Sequence, residues 1–519
     1  MARVADRICR TDGLELCGQI ESAPDTSRPK MSLSHNLLWK AESKAVAKPS
    51  QRNTPQFDKI ERALPKVDAA DSAAIDALHA DVIVDLTHGA GKSVAPDAAP
   101  YGVWFLNFLT RDTGRMSIRA IADNAPTCEI ELCQAQRPTL GPQKVSNAVL
   151  NVKLFASLNH LFMCEKSASL ILRELNRLSI ERELETSSTV MSRATDRPGV
   201  FSIAKYAFSV AGRVAKRAIE VQASKLKFRP GAFFLQTSKT GLHSVDPRNM
   251  QAHHSAGNGY FADPFLWERD GEVYCFFEHY NYAENFGYIA VGRLVDGELI
   301  EIQPALKTDY HMSFPFLYED DDGDLFMIPE VCSKRRIETW KCVEFPNRWE
   351  RVQIVLDDVT AADTSLAKIG QEWWLFTNIS NDPFGEMSSE LHLFKADGPA
   401  MNTLTPHPLN PVVFDTRTAR NGGRVIFDDG NYYRISQDNS HGVYGYGVNT
   451  MKIEHISMRG YQERLTRKIE PDFQSGIIGS HHMDTRGGTV VMDVREQVGG
   501  FRLWPASKKN ANPVERHLS

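Results

Sequence analysis

Carboxyl groups stand at the ends of several repeated apolar hairpins, and they are the first candidates for chemistry. Asp263 opens the first hairpin, Glu330 ends the second, and Asp363 opens the third. Forming or breaking a glycosidic bond uses carboxyl groups, because one can give a proton to the leaving oxygen while another takes one from the attacking oxygen. We therefore predict Asp263, Asp363 and Glu330 as the catalytic residues.

Later repeats carry cationic and polar side chains suited to substrate binding. Guanidinium groups pair with carboxylate or phosphate oxygens, and imidazoles can orient a sugar or bind an ion. The predicted substrate-binding residues are Arg420, Arg424, Gln437, Asp438, His481 and His482. For each of them, a surface ion pair or a satisfied hydrogen bond in the core is the alternative. No metal site and no cofactor are predicted.

Five hairpins position these residues. In Tyr260–Glu278 two apolar-aromatic runs flank Asp270-Gly271, which favours a type I′ turn because both residues tolerate positive φ. The other four hairpins lie at Ser313–Glu330, Ala362–Asn378, Asn421–Asp438 and Ser480–Val494. Their turn glycines recur with a period of about fifty residues, which is typical of propeller blades.

Further apolar runs between the hairpins predict the remaining strands of each repeat. They lie at Tyr288–Leu294, Ile337–Val343, Glu390–Phe394 and Gly445–Ile453. We predict an all-β, five-bladed propeller over residues 235–500, with the first residues of the hairpins converging on a central channel.

The residues before the hairpins show a different pattern. Asp81–Leu86 and Tyr101–Phe108 read as buried strands, the first of them parallel to a neighbour, and Ile118–Leu132 predicts a short helix and an edge strand. Helical periodicity covers Asn147–Glu185 and again Phe201–Lys225. The predicted domains are a small α/β domain at residues 1–145 with a poorly ordered start, a helical bridge at 146–234, the propeller, and a tail at 501–519.

The second of these helices, residues 201–225, is basic and amphipathic. It either packs on a neighbouring domain with a solvated basic face or lies on a membrane surface near anionic lipid. A separate segment, Gly-Ala-Gly-Lys-Ser at residues 89–93, is not a phosphate-binding loop: Leu86 stands where that loop needs glycine, and Pro96 interrupts the helix that should follow.

Composition and cysteine spacing bear on the class of partner and on the cellular location. A net charge of -5 without a basic domain argues against a nucleic-acid partner. Eight scattered cysteines without CxxC spacing predict reduced thiols and a cytoplasmic location, with a peripheral place at the inner membrane surface as the alternative. The N-terminus lacks the apolar stretch of a signal peptide, and no transmembrane helix is predicted.

The repeats resemble a known family. ADPFLWERDGEVYCFFE, SFPFLYEDDDGDLFMIPE, WWLFTN, LHLF, HPLNPVVFD and YYRISQD…YGYGV are together similar to the N-terminal domain of glucosamine inositolphosphorylceramide transferases. The resemblance implies a five-bladed propeller similar to arabinanase- and xylosidase-type glycoside hydrolases, with Asp263 at the position of the base. Two departures from the family pattern weaken simple hydrolysis: the second entry, Ser313-Phe314-Pro315, lacks the expected Asp, and Asp363 stands where a Glu acid is expected.

The front segment VIVDLTHG…YGVW resembles a formyltransferase-like fold. It lacks the Asn-x-His-x-Ser motif of active formyltransferases, so the resemblance implies the fold alone, with a degenerate site.

We therefore expect a carbohydrate-active enzyme that transfers a sugar in the assembly of a surface glycan, a glycolipid or a natural product. Its partners would be a carbohydrate or glycolipid substrate and an activated sugar donor. A non-catalytic glycan-binding or scaffold propeller is the main alternative, and glycoside hydrolysis or formyl transfer by the front domain are further ones.

Overall fold

The structure, a computed structural model, describes residues 2–21, 33–45, 64–87, 94–108, 113–136, 141–188, 190, 200–225, 232–257, 259–442 and 444–497. The segment at residues 89–93 and the predicted tail at 501–519 lie outside the described residues. The chain divides into two compact units. Unit 1 comprises Met1–Arg213, Asp382–Glu386 and Pro408–Thr416, and unit 2 comprises Val214–Asn381, Met387–His407 and Arg417–Ser519.

Unit 1 is an α/β unit. Its elements are α1 (Ala2–Ile8), β1 (Gln19–Glu21), α2 (Leu33–Ala45), β2 (Lys66–Asp68), α3 (Ser72–Asp76), β3 (Ile83–Asp85), β4 (Val103–Phe108), α4 (Thr113–Ala122), β5 (Thr127–Gln134), β6 (Gln143–Asn151) and α5 (Ala156–Glu181). Four strands form a sheet in the order β3-β4-β5-β6, while β1 and β2 form a separate parallel pair. As predicted, β3 runs parallel to its neighbour β4.

Two predictions for unit 1 were wrong in detail. The strand within Ile118–Leu132 is not at an edge, because β5 pairs with both β4 and β6. Asn147–Asn151 is strand rather than helix, because these residues complete the ladder with β5 and the helix begins only at Ala156. Short apolar runs fit both periods, so cross-strand pairing decided between them.

Helix α5 packs in the core of unit 1 and carries a buried charge. Its Lys166 lies 2.6 Å from Asp382 Oδ2 and 3.4 Å from Glu386 Oε2. A buried ammonium needs such partners because desolvation is costly. The helix that follows, α6 (Val200–Lys225), covers the predicted basic helix. Among the described residues, no helix has the length and apolarity to cross a bilayer.

Unit 2 is built from antiparallel sheets. It begins with β7 (Ala232–Ser238) and β8 (Gln251–His253). Sheet 1 follows with β9 (Gly259–Arg269), β10 (Glu272–Asn281), β11 (Phe286–Val295) and β12 (Glu298–Leu306), and sheet 2 with β13 (Ser313–Glu319), β14 (Leu325–Glu330), β15 (Arg336–Glu344) and β16 (Arg348–Asp357).

Sheets 3 and 4 repeat the same arrangement. Sheet 3 holds β17 (Ala361–Ile369), β18 (Glu372–Ile379), β19 (His392–Ala396) and β20 (Leu404–Pro406). Sheet 4 holds β21 (Asn421–Asp428), β22 (Asn431–Asp438), β23 (Gly447–Ser457) and β24 (Gly460–Ile469). The predicted all-β region of successive hairpins is therefore confirmed, and the Asp270-Gly271 turn has positive φ at both residues, 54° and 77°.

Sheet 5 joins the two ends of unit 2. Its later strands are β25 (Ile477–Gly479), β26 (Met483–Arg486) and β27 (Thr489–Glu496), and β27 pairs with β7. The fifth hairpin therefore obtains its outer strands from residues that precede the first hairpin, which the sequence pattern did not reveal.

The first strands of sheets 1, 2 and 3 share a backbone distortion. Asp263, Phe314 and Asp363 have positive φ values of 52°, 46° and 49°. At each position two residues stand opposite one on the next strand, so the ladder is bulged. Left-handed non-glycine residues are uncommon, and such strain tends to occur at functional sites.

Close backbone approach between sheets 4 and 5 generates a stability prediction. A Cβ on Gly423 would lie 2.2 Å from the Met483 carbonyl oxygen, so Gly423→Ala forces the strands apart. We expect a loss of about 2–3 kcal/mol in the free energy of unfolding, measured by urea denaturation and circular dichroism. Gly398→Ala is the control because a Cβ there meets no atom within 4 Å. Equal stability of the two variants would contradict this packing.

Candidate active site

Asp263 lies in a buried group with His481 and Asp493. Its backbone N–H donates to Asp493 Oδ2 at 3.1 Å, and its Oδ1 lies 3.5 Å from His481 Nε2. His481 Nδ1 lies 2.6 Å from Asp493 Oδ2. The Phe314 backbone N–H donates to the other Asp263 oxygen at 3.3 Å. The bulge thus places the Asp263 carboxyl between sheets 2 and 5.

A second buried group joins the other two predicted catalytic carboxyls. Arg420 Nε donates to Asp363 Oδ2 at 2.6 Å, and Arg420 Nη2 lies 3.9 Å from Glu330 Oε2. Gln437 Nε2 also donates to Asp363 Oδ2, at 3.0 Å, and the Asp363 backbone N–H donates to Glu330 Oε2 at 3.2 Å. Four predicted site residues are therefore held together by hydrogen bonds and an ion pair.

The two groups are electrostatically connected and differ from ordinary surface carboxylates. Burial raises the pKa of Asp263 to about 7, with His481 acting in the opposite direction and the Asp493 and Asp363 carboxylates adding to the increase. Burial, followed by the Asp363 carboxylate, raises the pKa of Glu330 to about 8. Near neutral pH, Glu330 is therefore mostly a proton donor, and Asp263 titrates.

His481 is a cation in this setting. Burial opposes its charge, yet the Asp493 and Asp263 carboxylates raise the pKa of His481 to about 9. The same pairing holds the pKa of Asp493 below its usual range despite burial. An imidazolium between two carboxyl groups is the arrangement that stabilises ionised oxygen at Asp263.

Glu278 occupies the position on sheet 1 that Glu330 holds on sheet 2. Glu278 pairs with Ala262 across the ladder, as Glu330 pairs with Ser313. Burial raises the pKa of Glu278 well above its usual range. The Tyr260 hydroxyl donates to Glu278 Oε1 at 3.4 Å. Glu278 is therefore an additional acidic group that the sequence prediction did not include.

Two predicted binding residues are engaged elsewhere. Arg424 donates to both oxygens of Asp484, at 2.6 and 2.9 Å. Asp438 lies 2.9 Å from Lys468 Nζ.

His482 is fully buried, with its ring against Phe265 and Phe314 at 4.5 and 5.2 Å between centroids. Burial lowers the pKa of His482 to about 3. His482 Nδ1 lies 3.9 Å from Asp263 Oδ1, and neither ring nitrogen has a hydrogen-bond partner among the described residues, so the structure places His482 beside the first group.

Two further side chains of the site were not predicted. Asp493 lies within Thr489–Glu496, where it reads as one polar residue in an apolar strand, and only the pairing of sheet 5 brings it to Asp263. Tyr444 is exposed, lies 4.9 Å above the Arg420 guanidinium and meets the His481 ring edge-on at 5.1 Å. Its place in a loop gave no periodic signal.

Asp263, His481 and Asp493 also offer side-chain ligand atoms within 4.8 Å of one another, which is compatible with a metal ion. The Asp493 oxygens, however, already accept hydrogen bonds from the backbone N–H groups of all three neighbours, Asp263, His481 and His482. We therefore treat the three residues as a hydrogen-bonded group. A separate apolar cavity of about 820 Å³ in unit 1 contains none of the predicted site residues.

The raised carboxyl pKa values predict pH-dependent stability. Asp263 and Glu330 bind protons more tightly in the folded state than in the unfolded chain, whose carboxyl pKa values are about 4. Stability is thus greatest below about pH 4, as far as these two groups contribute, and declines as pH rises to about 8, by a few kcal/mol.

We expect the melting temperature, followed by differential scanning fluorimetry, to fall less steeply with pH in Glu330→Gln than in the wild type. Glu344→Gln changes an exposed carboxylate and serves as the control. Parallel curves for all three proteins would show that Glu330 does not titrate in this range.

Sequence comparisons find relatives for part of the chain. Residues 248–478 match the family described as "Glucosamine inositolphosphorylceramide transferase 1, N-terminal". The transferase of that name from Oryza sativa subsp. japonica is 31% identical over 212 residues, which are 40% of this chain and 28% of that protein. The Arabidopsis thaliana protein is 30% identical over 241 residues, 44% of this chain and 31% of its own length.

Solved structures give a weaker likeness. An α-L-arabinofuranosidase from Lactobacillus brevis aligns with a TM-score of 0.34 and 12% identity, covering 47% of this chain and 82% of the enzyme. The native arabinanase of Bacillus subtilis aligns with a TM-score of 0.32 and 13% identity, covering 45% and 92%. Such scores indicate neither an activity nor a substrate.

The chain spans less than a third of the length of the curated relatives it matches. The formyltransferase-like interpretation of the front segment stays a prediction. The resemblance stated from the repeats is confirmed: residues 248–478 are similar to the N-terminal domain of the glucosamine inositolphosphorylceramide transferases.

Proposed function

We propose that unit 2 is a five-bladed β-propeller whose first strands surround one glycan site. Five antiparallel sheets follow one another along the chain, and the fifth uses both ends of the unit. Hydrogen bonds and ion pairs link Asp263 on sheet 1 to sheets 2 and 5, and Asp363 on sheet 3 to sheets 2 and 4. Contacts that cross between sheets in this way support a shared central site.

We further propose that the site belongs to a carbohydrate-active enzyme that transfers a sugar. The observation that carries the proposal is the pair of buried carboxyls with raised pKa values, Asp263 at about 7 and Glu330 at about 8. A base and an acid whose pKa values lie near neutrality are what proton transfer at a glycosidic bond requires.

Each carboxyl has a defined task. As the acceptor oxygen bonds to the anomeric carbon, Asp263 takes the proton from that oxygen. Glu330 gives its proton to the departing oxygen when the bond to the anomeric carbon breaks. A phosphate leaving group needs no such proton, so with an activated donor Asp263 alone supplies the proton transfer. Asp363 holds Arg420 and Gln437 in place beside the reacting groups.

The names of the relatives support transfer over hydrolysis. Their name describes them as glucosamine inositolphosphorylceramide transferases. For this chain we propose a carbohydrate or glycolipid substrate and an activated sugar donor. Glycoside hydrolysis by the same two carboxyls is the alternative when water replaces the acceptor.

A non-catalytic glycan-binding propeller is favoured by one observation. Phe314 is fully buried at the position that corresponds to Asp263 and Asp363, so the second sheet contributes no carboxyl there. Ligand binding without turnover for any donor would support this function.

We propose a cytoplasmic location with peripheral membrane contact through α6. One side of the helix packs through Tyr206, and its opposite side exposes apolar residues: Ala204, Ala207, Phe208, Ala211, Val214 and Ala215. Phe208 is 84% exposed. The sequence of residues 200–225 contains five basic residues and one acidic residue, in a chain whose net charge is -5. An exposed apolar face on a locally basic helix matches an anionic bilayer.

Replacing the base tests the catalytic proposal. We expect Asp263→Asn to lower turnover by about 10²–10⁴-fold because the amide cannot accept the acceptor proton. The assay combines nucleotide sugars with inositol-phospholipid vesicles for transfer and p-nitrophenyl glycosides for hydrolysis. Asp270→Asn in the adjoining turn is the matched control, since that side chain is 94% exposed.

Wild-type turnover of a glycoside donor should follow a bell-shaped pH profile, whereas with a nucleotide sugar only the rise near pH 7 is expected. Activity rises as Asp263 loses its proton near pH 7 and falls as Glu330 loses its proton near pH 8. Full activity in folded Asp263→Asn would overturn the assignment of the base, and binding without turnover would favour the glycan-binding alternative.

Vesicle binding tests the membrane proposal. We expect Phe208→Glu to weaken co-sedimentation with vesicles that contain phosphatidylglycerol by about tenfold or more, because an inserted aromatic ring is lost. Phe427→Glu is the control, as Phe427 is 64% exposed in unit 2. Binding should also fall with added salt. Equal binding of both variants, or a salt-insensitive dimer in place of vesicle binding, would refute the proposal.

A further inference from the structure

We propose that Asp493 is a positioning residue: it fixes His481 as an imidazolium beside the Asp263 carboxyl. The inference rests on the proposed role of Asp263 as the base. It assigns a function to a buried aspartate that does not itself meet the substrate.

The Asp493 carboxylate is held on both of its oxygens. Oδ1 accepts the backbone N–H groups of His481 and His482 at 2.9 and 3.0 Å. Oδ2 accepts the backbone N–H of Asp263 at 3.1 Å and lies 2.6 Å from His481 Nδ1. With three backbone donors in place and no exposed surface, the carboxylate cannot turn away from the imidazole.

The imidazole ring is held equally firmly. Phe233 stacks on His481 at 4.6 Å with 25° between the planes, and the edge of Tyr444 lies 5.1 Å away. A Cβ on Gly445 would lie 2.6 Å from the His481 Cβ, so the loop backbone closes against the side chain. Nδ1 lies 2.6 Å from Asp493 Oδ2 and Nε2 lies 3.5 Å from Asp263 Oδ1, so the ring stands between the two carboxyl groups.

Several charged groups surround His481 and Asp263. Asp493, Asp263 and Asp363 favour the protonated form of His481, while burial disfavours it. Asp263 is influenced by His481, Asp493, Asp363 and Arg420, and its charge is also felt at Glu278, Glu330 and Tyr444. His482 is neutral, since burial lowers the pKa of His482 to about 3. His481 is thus the cation in hydrogen-bonding reach of the Asp263 side chain among the described residues.

Removing the Asp493 charge changes the titration of His481. Without the Asp493 charge, burial dominates at His481, which then loses its proton at a lower pH. At Asp263 the loss of the neighbouring cation raises the pKa and the loss of the Asp493 charge lowers the pKa, so the two effects oppose each other and the unambiguous change is at His481. A purely structural Asp493, one that only accepts backbone N–H groups, would leave the His481 titration in place.

Histidine NMR tests the inference without any substrate. In full-length protein carrying ¹³C- and ¹⁵N-labelled histidine, the His481 signals are identified by their loss in His481→Gln. We expect the pKa of His481 to fall by at least one unit in Asp493→Asn, which keeps an acceptor oxygen for the backbone. Asp484→Asn is the matched control: this buried carboxylate on the next strand binds Arg424 and the Leu266 N–H. The His481 titration should be unchanged in that variant.

The wild type alone can also overturn the proposal. If His481 is neutral at pH 7, with Nδ1 lacking a proton in the ¹⁵N spectrum, Asp493 does not hold an imidazolium, whether or not Asp493→Asn folds. A His481 signal that moves on adding Ca²⁺ or Zn²⁺ with a stoichiometric end point would instead make the group a metal site and would also overturn it.

Kinetics separate this inference from the proposed function. Where turnover is measured, the acid limb of the pH profile reports Asp263 directly: it should differ from the wild type in Asp493→Asn and stay in place in Asp484→Asn. Absence of turnover in the wild type refutes the proposed function, while the NMR titration still decides the role of Asp493. An unmoved His481 titration in folded Asp493→Asn refutes the inference even if the enzyme is active.

Discussion

The site in unit 2 depends on one constraint, the burial of several carboxyl groups close together. An isolated buried carboxylate is very costly, so each group must have a donor, a cation or a proton. Asp493 has backbone donors and His481, Asp363 has Arg420 and Gln437, and Glu330 retains its proton. The three carboxyl groups are thus stabilised by different partners, and for that reason they differ in chemical properties within one cluster.

The first strands of sheets 1, 2 and 3 repeat the same backbone conformation, although their side chains differ. Asp263, Phe314 and Asp363 share the same bulge and the same left-handed conformation, although one of the three is an apolar ring. The distortion is therefore part of how each sheet begins, and it does not by itself identify a reactive residue. Chemistry at a given sheet depends on which side chain the bulge presents and on what the neighbouring sheets place against it.

Local pattern predicted the hairpins because strand period and turn chemistry act over a few residues, as at Asp270-Gly271. It also selected Asp263, Glu330, Asp363, Arg420, Gln437 and His481, which the structure brings into two connected groups. Local pattern does not show which residues pair when they are far apart in the sequence. Asp493 gains its role only when β27 pairs with β7, Arg424 is taken up by Asp484, and Asn147–Asn151 becomes strand because β5 is beside it.

The shared fifth sheet has a consequence for biosynthesis. β7 leaves the ribosome first among the strands of unit 2, yet its partner β27 is made some 250 residues later. At about 5–20 residues per second, β7 waits at least ten seconds with an unpaired edge. Sheets 1–4 can form from neighbouring strands in that time, but the group around Asp493 cannot. Assembly of the site is therefore a late event, and that edge of β7 stays open to other strands until β27 emerges.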